Sequence, residues 1–409
     1  ISNYSQHPTL DYWFAFRGND LSNCKFENIN YHHNGSAFTL RGDSTTGNLF
    51  LNCDFHHNQD PYSDTPYDGA DGLNITYVNN TAAVNTVRNC RAWWNADDGF
   101  DLWENEGYVE FDNCWSFYNG YIPDTFSTAG NGSGFKLGRG DTVTTTVRRY
   151  VHNCLAFKNR SWGFVENDNP CNMTIVNNTA VQNGGVSGTG GGLNFWFGAW
   201  TAQPKTFRNN ISYDSGTLFG DVWHAFGADY VHSNNSWDSA VTLTYADFLS
   251  TDDSVLDNPR FPDGSLPETV FLKLANGSDL KNAGTNVGLP YSGANPDMGY
   301  VESTGNTYFL ATTGNDGNSG TISLPWKTIE FASSQLNPAD ILYIRGGTHR
   351  SSKANTIVNR FYINGMNGTS GNIITISNYP GETVVFNCDD VYVAGTAGDG
   401  PVGFKIENS

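Results

Sequence analysis

The chain has 409 residues and a formal net charge of -19, from 41 acidic against 22 basic side chains. A nucleic-acid binder needs a basic face, so the charge argues against that class. With 15% charged, 38% hydrophobic and 14% aromatic residues, it is no acidic disordered tail either. No run of about 18 apolar residues is present to span a membrane.

Two registers alternate from the N-terminus onward. The first reads Asn-Cys, at Asn23-Cys24, Asn52-Cys53, Asn89-Cys90, Asn113-Cys114 and Asn153-Cys154. It continues as Asn-Asn at Asn177-Asn178, Asn209-Asn210 and Asn234-Asn235, with copies 24 to 40 residues apart. The second reads Gly-apolar-x-apolar, at Gly72-Leu73-Asn74-Ile75, Gly99-Phe100-Asp101-Leu102, Gly134-Phe135-Lys136-Leu137 and Gly192-Leu193-Asn194-Phe195. Ala37–Leu40 and Gly163–Glu166 keep part of it. Short alternating segments punctuated by Asn and Gly are strands. A repeat of this length holding several strands predicts an all-β parallel β-helix. Equivalent residues then stack at about 4.8 Å. An Asn column can hydrogen-bond along the stack, and the Cys column points inward as small hydrophobes. Seven Cys cannot all pair within one chain, which agrees with free thiols.

Residues 241–283 read as irregular capping structure, and 284–303 as the last turns of the solenoid. After a short linker at 304–306, residue 307 opens a strand, a Gly/Asn loop and a capping helix near Trp326–Gln335. Further coils follow near Ile373–Ser377 and Gly403–Ile406. Residues 1–303 are therefore expected to hold the central and C-terminal coils. Residues 304–409 would supply the first coils and cap of the same β-helix, in permuted order, packed beneath residues 1–60. The rival reading is a second, truncated β-helix beginning at Thr307. Ile1 reads as the start of a trimmed chain with no visible signal peptide.

Aligning Gly72, Gly99 and Gly134 puts Asn74, Asp101 and Lys136 in one column. Asp71 falls beside Asp98, with Asp97 next to it. Leu73, Phe100 and Phe135 alternate with the polar set and face the core. Four carboxylates on adjacent coils repel each other unless countered. A hard cation such as Ca²⁺ takes oxygen ligands of this kind, and no thiolate or His set suggests zinc. The alternatives are a solvated acidic ladder or an Asp101–Lys136 ion pair that stabilises little.

Ala96-Asp97-Asp98-Gly99-Phe100-Asp101-Leu102, followed by Gly130-Asn131-Gly132-Ser133-Gly134-Phe135-Lys136-Leu137-Gly138, resembles polysaccharide lyase family 9. The likeness extends through His152–Phe157, Trp162–Phe164 and the segment 307–350. It implies a right-handed parallel β-helix that cleaves acidic pectic chains by β-elimination. It also implies a Ca²⁺ held by Asp71, Asp97, Asp98 and Asp101, with Lys136 as the base. Arg139 departs from the glycine the family often carries there. It is expected to fork a substrate carboxylate, with an exposed structural Arg as the equal alternative.

The C5 proton of a uronate is weakly acidic, so a cation must stabilise the charge its loss creates. A lysine base must be neutral, which predicts calcium dependence and an alkaline optimum. Trp103 and Trp115 are expected to contact sugar faces, among a set with Trp93, Trp94, Phe117 and Tyr118 of which about a third would touch substrate. The acidic chain slightly favours rhamnogalacturonan I over homogalacturonan. The partner is an acidic plant polysaccharide, met by a monomer that is secreted, periplasmic or on the cell surface. Two rivals are a β-helical glycoside hydrolase, which gives Lys136 no role, and a non-catalytic carbohydrate-binding solenoid.

Overall fold

The computed structural model describes residues 16–139, 147–185, 192–198, 203, 205–215, 222–224, 230–238, 241–350, 361–370, 372–387 and 404–407. Three long parallel sheets run through residues 16–233. The first joins Phe16–Asn19, Phe38–Arg41, Leu73–Thr76, Phe100–Asp101, Phe135–Lys136, Phe164–Val165, Phe195–Phe197 and Val222–His224. The second joins eight strands from Lys25–Glu27 to Tyr230–Ser233, and the third seven from Asn30–His32 to Ile211–Tyr213. Each coil gives one strand to each sheet in turn, and each strand pairs with its counterpart in the next coil. This is the expected parallel β-helix.

The columns follow from the side chains. Phe100, Phe135, Phe164 and Phe195 stack face to face, with ring centroids 5.1, 4.7 and 5.0 Å apart in turn. They fill the interior with Phe50, Phe111, Ile175 and the buried Cys53, Cys90, Cys114 and Cys154. No disulfide forms among the described residues. Cys388 lies outside them.

Between the second and third sheets two residues turn the chain, and the first of them takes the left-handed conformation. Asn52, Asn89, Asn113, Asn153, Asn177 and Asn209, with Asn234 after the last strand of the second sheet, all hold φ between 52° and 59°. Asparagine tolerates that region better than other non-glycine residues.

The first copy of the register needs correction. The equivalent turn in the first coil is Asn28, at φ 56°. Cys24 instead heads another column, its amide donating to Asn48 Oδ1 at 3.0 Å. A further buried ladder, Asn58, Asn95, Asn119, Asn159 and Asn183, escaped the sequence reading. Each side-chain amide donates to the next Oδ1 at 2.8–2.9 Å. The motif lies six residues past the Asn-Cys turn, which is the spacing that could have revealed it.

Residues 241–303 cover the outer face of the third sheet. Phe248, Leu256, Phe271, Leu274, Met298 and Tyr300 pack on Trp93, Trp115, Phe117, Leu155 and Phe157. A charged clamp closes the far end of this cover. Arg91 donates to both Asp54 oxygens at 2.8 and 2.7 Å and to the Leu256 and Asn258 carbonyls. Arg260 of the cover reaches the same carboxylate at 2.7 Å.

Strands Thr307–Leu310, Ile341–Ile344 and Thr375–Asn378 form a separate small sheet, with pairs Gly347–Arg350/Val384–Asn387 and Phe361–Asn364/Phe404–Glu407 beside it. The expected helix spans Ile329–Gln335 and is capped by Thr328. Phe309 and Tyr343 pack against Leu249 and Val270 of the cover, and Asn276 pairs with both backbone groups of Thr307. Among the described residues, no strand of this part joins the three long sheets. Its expected junction with the N-terminal residues 1–15 lies outside the described residues.

Candidate active site

The first sheet carries the aligned column. Asn74 pairs with Asp101, and Asp101 with Lys136, with Thr39 one coil earlier. The glycines that start these strands allow the coils to approach. A Cβ on Gly72 would lie 2.5 Å from the Gly99 carbonyl. Above the column lies a cleft of about 630 Å³, walled by the loop that carries Asp60, Tyr62, Asp64, Thr65 and Asp68.

Asp71, Asp97, Asp98 and Asp101 are all brought together and all buried. One oxygen each from Asp71, Asp98 and Asp101 lies within 4.8 Å of the others. The Lys136 ammonium sits 2.9 Å from Asp98 and 3.2 Å from Asp101. Asp97 takes a different partner, the Asn131 amide, and Asp98 also accepts from the Ser133 amide. The loop Gly130–Gly134 thus feeds backbone donors to the aspartates. It passes so close that a Cβ on Gly130 would lie 2.6 Å from Asp97 Oδ1.

The electrostatics follow from this crowding. Burial, then the Asp101 and Asp98 charges, push the Asp71 carboxyl well above its usual range. Burial and Asp98 do the same to Asp97. Burial raises Asp101 to about 6, against the pull of Lys136. Burial of the Lys136 ammonium works to lower its pKa, but Asp101, Asp98, Asp97 and Asp71 outweigh it, and the group sits well above its ordinary value. Burial lifts the Asp60 carboxyl on the cleft wall to about 7.

These residues fit a hard divalent cation. The converging donors are carboxylate oxygens, as Ca²⁺ and its class prefer. Beside them Asn74 donates to Asp71 at 3.2 Å, while its own Oδ1 is buried with no hydrogen-bond donor among the described residues. A buried oxygen left so is costly, and a cation would satisfy it.

The proposed substrate contacts divide. Trp103 lines the cleft, and its amide donates to Asp101 at 2.8 Å. Trp115 does not. It belongs to the third sheet, is 3% exposed, and lies under the cover of residues 241–303. A short strand starting with a large apolar side chain after Asn-Cys packs outward on that sheet, so its burial depends on a cover the repeat does not reveal. Trp93 and Phe117 share that core, and Trp94 and Tyr118 pack at its edge. Of the six aromatics, Trp103 alone lines the cleft. Arg139 is exposed, just past Gly138, and is not among the residues lining the cleft.

One supporting residue was missed. Arg149 is fully buried and donates to the Leu137 carbonyl at 2.8 Å and the Gly107 carbonyl at 2.6 Å. It fixes the backbone directly after Lys136. Gly138 holds φ 130° beside it, where a Cβ would meet the Asn169 side chain at 2.3 Å.

Residues 9–195 match the family described as "Pel9A-like, right handed beta helix region". The chain is 34% identical to a pectate lyase L of Dickeya chrysanthemi over 74% of its own length and 69% of that protein's. It is 35% identical to a pectate lyase L of Paenibacillus polymyxa over 64% of its length and 58% of that protein's. The crystal structure of pectate lyase Pel9A superposes with a TM-score of 0.56 at 34% identity, over 68% of this chain. The chain spans 65% of that structure, just under two thirds of its length.

Proposed function

The chain belongs to polysaccharide lyase family 9, the Pel9A-like right-handed parallel β-helices, and so to the lyases of pectic polysaccharides; we propose that it cleaves polygalacturonate by calcium-assisted β-elimination. The observation that carries this reading is Lys136, held 2.9 Å from Asp98 among converging carboxylates on the floor of a cleft. A glycosidase would need two carboxyls flanking a bond and would have no use for this lysine.

Asp71, Asp98 and Asp101, with Asp97 beside them, would hold the cation. When bound, it would balance the charges that keep Lys136 protonated and stabilise the charge developing on the uronate carboxylate. Lys136 takes the proton from C5 of a galacturonate. The C5–H electron pair becomes the C4–C5 double bond, the bond from C4 to the glycosidic oxygen breaks, and that oxygen leaves with its sugar and takes a proton from water. Trp103 borders the cleft and offers an apolar surface to a sugar face. Since the aspartates hold Lys136 as ammonium, activity should rise towards alkaline pH.

The related proteins bear the name pectate lyase, which moves the preference from rhamnogalacturonan I, favoured on net charge alone, to polygalacturonate. So large a polymer is met outside the cell membrane. No helix among the described residues is long and apolar enough to cross a membrane. The test is to incubate the protein with each polymer and follow ultraviolet absorbance together with reducing ends. Absorbance growing in step with reducing ends on polygalacturonate is expected. Reducing ends without absorbance would mean hydrolysis, and absorbance on rhamnogalacturonan I alone would reverse the choice of polymer.

A further inference from the structure

We propose that Arg41 forms a carboxylate subsite at the far end of the same cleft, reading a uronate several sugars away from the one at Lys136. The inference rests on the pectic reading above and adds the residue that selects the charged polymer.

Arg41 ends the strand Phe38–Arg41, is opposite Thr76, and lines the cleft. Its guanidinium lies 4.4 Å over the Tyr77 ring, and Tyr77 meets Trp103 edge-on at 5.1 Å. This stacking orients the guanidinium plane and leaves its N–H donors for a ligand. Among the described residues, no carboxylate lies within ion-pair distance of it. Arg88, Arg91, Arg148, Arg260 and Arg345 each have one. Arg149 and Arg160, which also lack a carboxylate, give their N–H groups to backbone carbonyls instead.

The cleft itself gives the cation a purpose. Asp60, Asp64, Asp68, Asp71, Asp97 and Asp101 all line it, and such a surface repels a polyanion. Lys136 is occupied by Asp98 and Asp101. Arg41 is the other cationic side chain among the lining residues. Three strand spacings, about 14 Å, separate its strand from that of Lys136. A carboxylate bound there therefore belongs to a sugar several units from the cleaved bond. A bidentate Arg–carboxylate contact fits that role, with Tyr77 and Trp103 offering apolar surface beside it.

The test compares Arg41→Gln and Arg41→Lys with the unaltered protein on polygalacturonate and on a galacturonate trimer too short to reach from Lys136 to Arg41. Arg41→Gln is expected to raise KM on the polymer about tenfold with kcat little changed. Arg41→Lys should fall between, and KM on the trimer should not move. Calorimetric binding of a long oligogalacturonate to Lys136→Ala protein, with and without Arg41→Gln, reads the subsite without turnover. Thermal midpoints check that the variants fold. Unchanged KM and affinity, or an equal loss on the trimer, would overturn the subsite while leaving the lyase reading intact. Absence of unsaturated product with Arg41-dependent binding retained would overturn the lyase reading and leave the subsite standing.

Discussion

The Lys136 ammonium rests 2.9 Å from the carboxylate of Asp98, which is 0% exposed. Ammonium and carboxylate thus serve as each other's counter-charge when no other cation is near. Removing one partner of such a pair leaves a buried charge that costs about 3 kcal/mol, less where a neighbouring carboxyl takes up a proton. Lys136→Ala should therefore lower the thermal midpoint in chelator, and added calcium should restore most of the loss. Ligand linkage alone gives about 2.7 kcal/mol at a hundredfold excess over Kd. Calcium that fails to raise the midpoint of either protein would remove the cation from these aspartates.

Trp103 and Trp115, both expected from sequence to contact sugar, should respond differently to substitution. Trp103→Ala should raise KM several-fold with a small change in stability, because Trp103 borders the cleft. Trp115→Ala should cost about 3–5 kcal/mol as a core truncation and leave KM alone, since Trp115 packs under residues 241–303. Denaturant unfolding and initial rates distinguish them. A KM effect from Trp115→Ala in folded protein would contradict its placement.

The Arg91–Asp54–Arg260 clamp predicts how the cover is held. Asp54→Asn leaves two guanidinium groups without their shared charge, one of them 2% exposed. Stability should fall by about 3 kcal/mol, and limited proteolysis should cut within 241–303 before it cuts the coils. First cuts within the coils, or an unchanged midpoint, would show that the cover is held by its apolar contacts alone.

His56 stacks between His32 at 4.8 Å and Trp93 at 4.1 Å. Burial, then the adjacent His57, pushes its pKa from 6.5 down to about 3. A histidine depressed in the folded state remains neutral there while the unfolded chain takes up a proton. Its contribution is thus complete above 6.5 and is lost as pH falls towards 3. Thermal midpoints should decline over that window, less steeply in His56→Gln. Identical slopes in both proteins would assign the acid sensitivity elsewhere.

Much of this molecule can be read from spacing alone. The glycine alignment places Asn74, Asp101 and Lys136 in one column because side chains stack coil on coil, and the pairing register is the same. The Asn-Cys turns are legible because one residue must take a left-handed conformation at every coil. What spacing does not convey is what covers the outside. Trp115 and Trp103 both look like exposed site aromatics until the irregular segment 241–303 is seen lying over one and not the other. Arg41 and Arg149 stand in columns whose other members are of different kinds, Asn19 and Thr76 for one and Val109 and Met173 for the other, so no repeated letter marks them, and the Asp60 loop lies outside the strands altogether. Asn23-Cys24 matches the motif in letters yet occupies another turn, since the first coil spends its Asn at position 28.

The most direct measurement follows ultraviolet absorbance on polygalacturonate for the unaltered protein with calcium, the same protein in chelator, and folded Lys136→Ala with calcium. Absorbance is expected in the first case, and a loss of about a hundredfold or more in the other two. Full activity of Lys136→Ala would take the proton transfer away from this lysine, and full activity in chelator would take the cation away from the reaction.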